Sequence, residues 1–134
     1  MSDQISTTSK YRETNWGFDE VLSNAETYKV KKLTIAPGHR ISLQSHEHRS
    51  EHWLLLEGEG LITIGDALPY ILKVGDTEYV PAKTVHRIAN EGTDPLVILE
   101  AQFLTGDVLS EEDIVRYADD YGRPVEDMTS SSNG

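Results

Sequence analysis

Turn signals recur along this chain at intervals too short for most helices. Pro37-Gly38, Gly58-Glu59-Gly60, Gly65-Asp66, Gly75-Asp76 and Gly92-Thr93-Asp94-Pro95 cut its middle into short apolar pieces. The pieces are "YKVKKLTIA" (28 to 36), "HRISLQS" (39 to 45), "EHWLLLE" (51 to 57), "GLITIG" (60 to 65), "YILKV" (70 to 74), "TEYVP" (77 to 81), "VHRIAN" (85 to 90) and "LVILEAQF" (96 to 103). They alternate in polarity or are rich in β-branched residues, so each reads as a strand. Eight short strands at this spacing predict an all-β sandwich or barrel. One later stretch, "SEEDIVRYADDYG", predicts a short C-terminal helix. Ser110 would cap it, Glu111, Glu112 and Asp113 would sit at its positive end, Ile114 and Tyr117 would share a face, and Gly122 would stop it.

A length of 134 residues suits one domain with one core. The polar flanks, 1 to 13 and 124 to 134, predict a flexible N-terminal segment and a disordered tail around a folded unit over 14 to 123. With no cysteine there are no disulfides, thiolate metal sites or cysteine nucleophiles. A net charge of -11 speaks against nucleic acid, which is bound by clustered Lys and Arg, yet a few local cations still suffice for a small anion. The N-terminus has no apolar h-region and no apolar run approaches a membrane span, so a soluble, cytoplasmic protein is expected.

"LQSHEHRSEHW" (43 to 53) holds three of the five histidines. Residues two apart share a face of a strand, which sets Arg40, Ser42, Gln44 and His46 on one side of their segment. Glu51, Trp53 and Leu55 share a face of the next, and His86, Ile88 and Asn90 a face of a later one. Antiparallel neighbours can therefore gather Gln44, His46, Glu51 and His86, two imidazoles and two oxygen donors, a set suited to zinc, manganese, iron, cobalt or nickel. The bland reading is a run of ordinary polar β-residues. His48, in the turn, and His52, facing away, are expected beside the site rather than on the ion.

Gly38, Gln44, His46, Glu51 and Gly58 resemble the first cupin motif, with glutamine at its usual first histidine. Gly75, Pro81, Lys83, His86 and Asn90 resemble the second, with Lys83 where glycine is usual. With "TNWGFDEVL" and "EEDIVRYADDYGR", residues 14 to 123 resemble the type II phosphomannose isomerase cupin, a module usually found at the C-terminus of bifunctional mannose-1-phosphate guanylyltransferase/mannose-6-phosphate isomerases. The resemblance implies a cupin double-stranded β-helix, that is, a jelly-roll barrel. It also implies a divalent metal (zinc first) on Gln44, His46, Glu51 and His86, a homodimer, and interconversion of mannose 6-phosphate with fructose 6-phosphate. Asn15, Lys83 and Ala89 depart from the family pattern. No glycine-rich sugar-nucleotide loop is present, so no synthesis of GDP-mannose is expected.

Within that frame Glu100, Arg49 and Arg123 are the expected catalytic groups, and Arg40, Arg87 and Gln102 the expected substrate-binding groups. Glu100 and Gln102 interrupt the apolar face of "LVILEAQF", which suggests a lumen position; Glu100 is either a general base or a buried partner for an arginine. Arginine offers a planar fork to a phosphate, so Arg116 is a further candidate, with Lys32 and Lys83 weaker ones. For each, the alternative is a solvated surface cation. Trp16, Trp53 and the run "WLLLE", read as buried on both faces, are expected in the core or a dimer interface. Two other functions fit the same residues: a metal cupin of different activity, such as a dioxygenase or another sugar isomerase or epimerase, and a sugar- or metal-binding cupin without turnover.

Overall fold

A computed structural model describes residues 10 to 106 and 109 to 127. Those residues form eleven strands and no helix: β1 (Lys10–Glu13), β2 (Gly17–Asn24), β3 (Tyr28–Ile35), β4 (Leu43–Ser45), β5 (Arg49–Glu57), β6 (Gly60–Ile64), β7 (Tyr70–Leu72), β8 (Thr77–Val80), β9 (His86–Ala89), β10 (Leu96–Leu104) and β11 (Val115–Ala118). They make two antiparallel sheets, ordered β1-β2-β3-β10-β5-β8 and β11-β4-β9-β6-β7. All eight strands expected from the turn spacing are present. The two sheets are the jelly-roll halves expected of a double-stranded β-helix.

The apolar side chains of both sheets meet between them. Leu33, Ile35, Trp53, Leu55, Leu96 and Ile98 come from the larger sheet, and Ile62, Leu72 and Ile88 from the smaller. Further along the same strands the inward face turns polar, because Lys31, Glu100, Gln102 and Glu51 are buried there as well. The barrel therefore has an apolar half and a polar half. "WLLLE" is not buried on both faces: Trp53 and Leu55 point inward, Leu54 is half-buried, and Leu56 is 37 % exposed. Gly17 lets β2 run close to β3, since a Cβ there would lie 2.0 Å from the Thr34 carbonyl oxygen.

No helix forms over 110 to 122; the one regular element of that stretch is the strand β11. β11 pairs with β4 through Val115–Ser45 and Arg116–Gln44. Ser110 Oγ does accept from Glu112 N (3.0 Å), but this closes a turn, and Asp113 spends its carboxylate on the amides of Glu47 and His48. A helix of so few residues nucleates poorly, and pairing with an open sheet edge supplies tertiary contacts that it lacks. At the other end Lys10–Glu13, expected in the flexible segment, form β1. Residues 124 to 127, expected in the disordered tail, run back beside β11, with Glu126 N donating to Arg116 O at 2.6 Å. The rest of those two expectations, residues 1 to 9 and 128 to 134, lies outside the described residues.

Candidate metal centre

Three ligand atoms, from His46, Glu51 and His86, lie within 4.8 Å of one another on buried side chains. His46 follows β4, Glu51 is on β5 and His86 opens β9, so both sheets contribute. His46 Nδ1 lies 2.7 Å from the Asp113 carbonyl, and His86 Nδ1 lies 2.9 Å from the Thr84 carbonyl. A carbonyl only accepts, so both Nδ1 atoms carry the hydrogen and both Nε2 lone pairs turn to the cluster, the tautomer that an ion needs.

Glu51 is fixed from two sides. Trp53 Nε1 donates to its Oε1 at 2.9 Å, and Arg49 Nε donates to its Oε2 at 2.9 Å. Burial opposes ionising Glu51, but the His46 contact, His86, Glu100 and Arg49 outweigh it and hold the carboxyl well below its ordinary range. Glu100 moves the other way: burial, then the charge and hydrogen bond of Glu51, push it well above the carboxylate range. The pair is thus pulled apart, Glu51 towards the ionised form and Glu100 towards the protonated one. Burial also lowers the pKa of His86, ahead of the opposing pull of Glu51, which favours the neutral ligand form.

His46 Nε2 and Glu51 Oε2 stand 3.2 Å apart, two acceptors facing each other. A terminal nitrogen of Arg49 reaches both, at 3.0 Å from Nε2 and 2.9 Å from Oε2. Such a donor set calls for a positive charge, and the residues present fit a divalent cation. One lone pair serves one partner, so the Arg49 contact with His46 is exchangeable for an ion. Gln44 lies beside the cluster: it is paired with His86 across the sheet and lines the same cavity, its amide donating to Ser42 Oγ at 2.8 Å.

That cavity, about 500 Å³, falls in the range of small-molecule sites. Its wall includes Gln44, His46, His86, Glu100, Arg49 and Arg123, so it gathers seven of the ten expected site residues once Glu51, beneath His46, is counted. The other three lie elsewhere. Gln102 is 1 % exposed and donates to Glu100 Oε1 at 3.1 Å, supporting that carboxyl from below. Arg40 forms a two-pronged pair with Asp120, and Arg87 donates to the carbonyls of Ile41 and Ala118.

Arg40 was expected on the face of Gln44, and a bulge explains the difference. Gln44 pairs with His86, which in unbroken register would set Arg40 against Asn90; it bridges Ala89 instead. One extra residue in between reverses the facing. Ile41 consequently lines the cavity and Arg40 is exposed. His48 and His52 are exposed and stay off the cluster, His52 against Tyr79 and Phe103, as expected.

Sequence reasoning missed Arg12, Asp19, Lys31, Glu111 and the supporting part of Asp113. Arg12 donates to Asp19 at 2.6 Å at the cavity mouth. Lys31, buried, joins Glu111 at 2.9 Å. Arg12 lies in the flank read as mobile, and Glu111 and Asp113 lie in the stretch read as a helix start.

Fold and site together define a cupin with a His-Glu-His group able to hold a metal ion. An RmlC-like cupin from Shewanella frigidimarina has the same fold, at a TM-score of 0.65 and 18% identity over 75% of this chain and 86% of that one. The family described as mannose-6-phosphate isomerase C-terminal matches residues 2–119, and the chain belongs to it. It is 40% identical over 111 residues to the alginate biosynthesis protein AlgA of Pseudomonas aeruginosa, covering 83% of this chain and 22% of that protein. To the xanthan biosynthesis protein XanB of Xanthomonas campestris it is 39% identical over 108 residues, covering 81% of this chain and 22% of the relative. The chain thus spans less than a quarter of the length of these relatives. No helix among the described residues is long and apolar enough to cross a membrane.

Proposed function

We propose that this chain is a metal-dependent aldose–ketose isomerase that interconverts mannose 6-phosphate and fructose 6-phosphate. The observation that carries the reading is the cluster of His46, Glu51 and His86 at a cavity that His46, His86 and Glu100 line. The family supplies the sugar. Gln44, His46, Glu51 and His86 would hold one divalent ion, zinc being the first to test, and the ion would polarise the carbonyl and hydroxyl oxygens at C1 and C2 as a Lewis acid.

The other groups act through position. Glu100 has a carboxyl on the cavity wall next to the ligand cluster; in its ionised form it would take the proton from one of C1 and C2 and return it to the other, a contribution of about 10²–10⁴-fold for a well-placed acid–base group. Gln102 orients that carboxyl by donating to Oε1. Arg49, released from His46, is placed to donate to the substrate oxygens while it keeps Glu51 ionised.

A coupled assay for fructose 6-phosphate formation tests this on metal-stripped protein reloaded separately with zinc, manganese, cobalt and nickel, with His46→Ala alongside. Turnover that needs an ion and vanishes in the variant is expected. Tight ion binding with no turnover on any metal would overturn the isomerase reading and leave a binding cupin or another sugar.

A further inference from the structure

We propose that Arg116, flanked by Arg12 and Arg123, forms an anion subsite that takes the phosphate ester of the sugar, on the other side of Gln44 from His86 along the cavity wall. The subsite rests on the sugar-phosphate reading above. It arises from the three arginines that line this cavity outside the metal cluster.

Arg116 is the anchor. Its Nε is buried and, among the described residues, has no hydrogen-bond partner. An N–H withdrawn from water without an acceptor is unfavourable, and a guanidinium more so, unless a ligand supplies the acceptor. Burial, then the nearby charge of Arg123, and then that of Arg12, depress the Arg116 guanidinium, while Asp119 opposes them. Three cations thus act on one another at a single mouth of a protein whose net charge is -11. Like charges gathered against such an average make a local well for an anion.

The neighbours are held in place. Buried Asp119 pairs with Arg123 through both oxygens, at 2.8 and 3.1 Å. Asp19, also buried, holds Arg12 from the other sheet. Each of these arginines keeps donors to spare after its pairing, since a guanidinium has five.

The register gives the distance scale. Arg116 pairs with Gln44, and Gln44 pairs with His86, so the three form one row across the smaller sheet. Neighbouring strands lie about 4.8 Å apart, which sets the backbones of Arg116 and His86 about 10 Å from each other. Directly paired residues project to one face, and all three line the cavity. A six-carbon sugar with a terminal phosphate fits that span, its reacting end at the ligands and its phosphate on Arg116. Arg40 and Arg87, the arginines expected from sequence to meet the substrate, are engaged outside the cavity and leave this task to β11 and its flank.

The test is calorimetric titration of the full chain with inorganic phosphate and with mannose 6-phosphate, before and after metal loading, on wild type, Arg116→Gln, Arg116→Lys and Arg12→Gln. Phosphate is expected to bind the metal-free wild type, to lose at least about tenfold in affinity in Arg116→Gln, and to recover in part with Lys. Arg12, largely exposed, should show a smaller loss without risk to folding, and ion affinity should stay unchanged in all three variants. Phosphate that binds only after metal loading, or equally well to the wild type and the Arg116 and Arg12 variants, would overturn the subsite. The two readings separate cleanly. Arg116-dependent binding of mannose 6-phosphate without turnover sinks the isomerase and keeps the subsite, whereas turnover with an unchanged KM in Arg116→Gln does the reverse.

Discussion

Lys83 has a backbone φ of 69°, in the left-handed region, at a place where the second cupin motif usually has glycine, and its amide donates to the His46 carbonyl. A side chain in that region is disfavoured by about 1–2 kcal/mol. Glycine removes that strain but has more freedom to lose on folding. Lys83→Gly should therefore stabilise the protein by about 0.5 kcal/mol, read as a higher urea midpoint at constant slope; a lower midpoint would mean that Lys83 contributes contacts elsewhere. Asp113 is the opposite case, a residue whose loss should be felt at a distance. Its carbonyl orients His46, and its carboxylate accepts from the amides of Glu47 and His48 (2.9 Å each), so one residue of the C-terminal segment shapes the ligand loop. Partners of this kind affect metal affinity by about 10–100-fold, and Asp113→Ala should weaken ion binding at the low end of that range, measured by competition with a chromophoric chelator. An unchanged affinity would show that the loop holds its shape without Asp113. The candidate cluster was legible, because His46, Glu51 and His86 sit at positions that strand alternation can interpret. The bulge between Arg40 and Gln44 was not, since no glycine marks it and only the pairing partners reveal the shifted register.

The eight middle strands were readable because they alternate or carry apolar runs between turn residues, as in β5, where Glu51, Trp53 and Leu55 are buried around an exposed His52. The strands that sequence missed lack this contrast. Every residue of β1 is exposed, every residue of β11 is half-buried, and β2 buries only Asp19, so none of the three alternates. β1 and β11 lie at the end of a sheet, β1 in a hairpin with β2 and β11 on β4, a partner distant in sequence. β11 is docked in part by Glu111, which meets Lys29 and Lys31 at 2.8 and 2.9 Å. Burial alone would raise the Glu111 pKa, but the two lysines bring it from 4.5 down to about 2. A carboxyl depressed on folding contributes stability that is fully present above pH 4.5 and is lost as pH falls through about 2. Amide chemical shifts of Val115 to Ala118 should thus report loosening of β11 on acidification across that window. Glu111→Gln should show weaker docking at neutral pH and no such step. A step of equal size in the variant would assign the transition to another group.

The barrel as a whole separates stability from chemistry. The core of Leu33, Ile35, Leu55, Leu96 and Ile98 fills one half, while Lys31, Glu51, Glu100, His46 and His86 occupy the other behind a mouth rimmed by Arg12 and Arg123. His46 Nε2 and Glu51 Oε2 face one another and share a single Arg49 nitrogen, so an ion there should also stabilise the fold. Saturation at 100 times the Kd adds about 2.7 kcal/mol, and a chelator should lower the melting temperature of the loaded protein accordingly; an unmoved melting temperature would mean that no ion is held by the folded state. The most direct measurement is calorimetric titration of the metal-free protein with zinc, comparing wild type with Glu51→Gln, a substitution that keeps size and removes the charge. One ion per chain, with affinity falling at least about a hundredfold in the variant, is the predicted result. The same stoichiometry and affinity in Glu51→Gln would contradict the metal centre and the isomerase built on it.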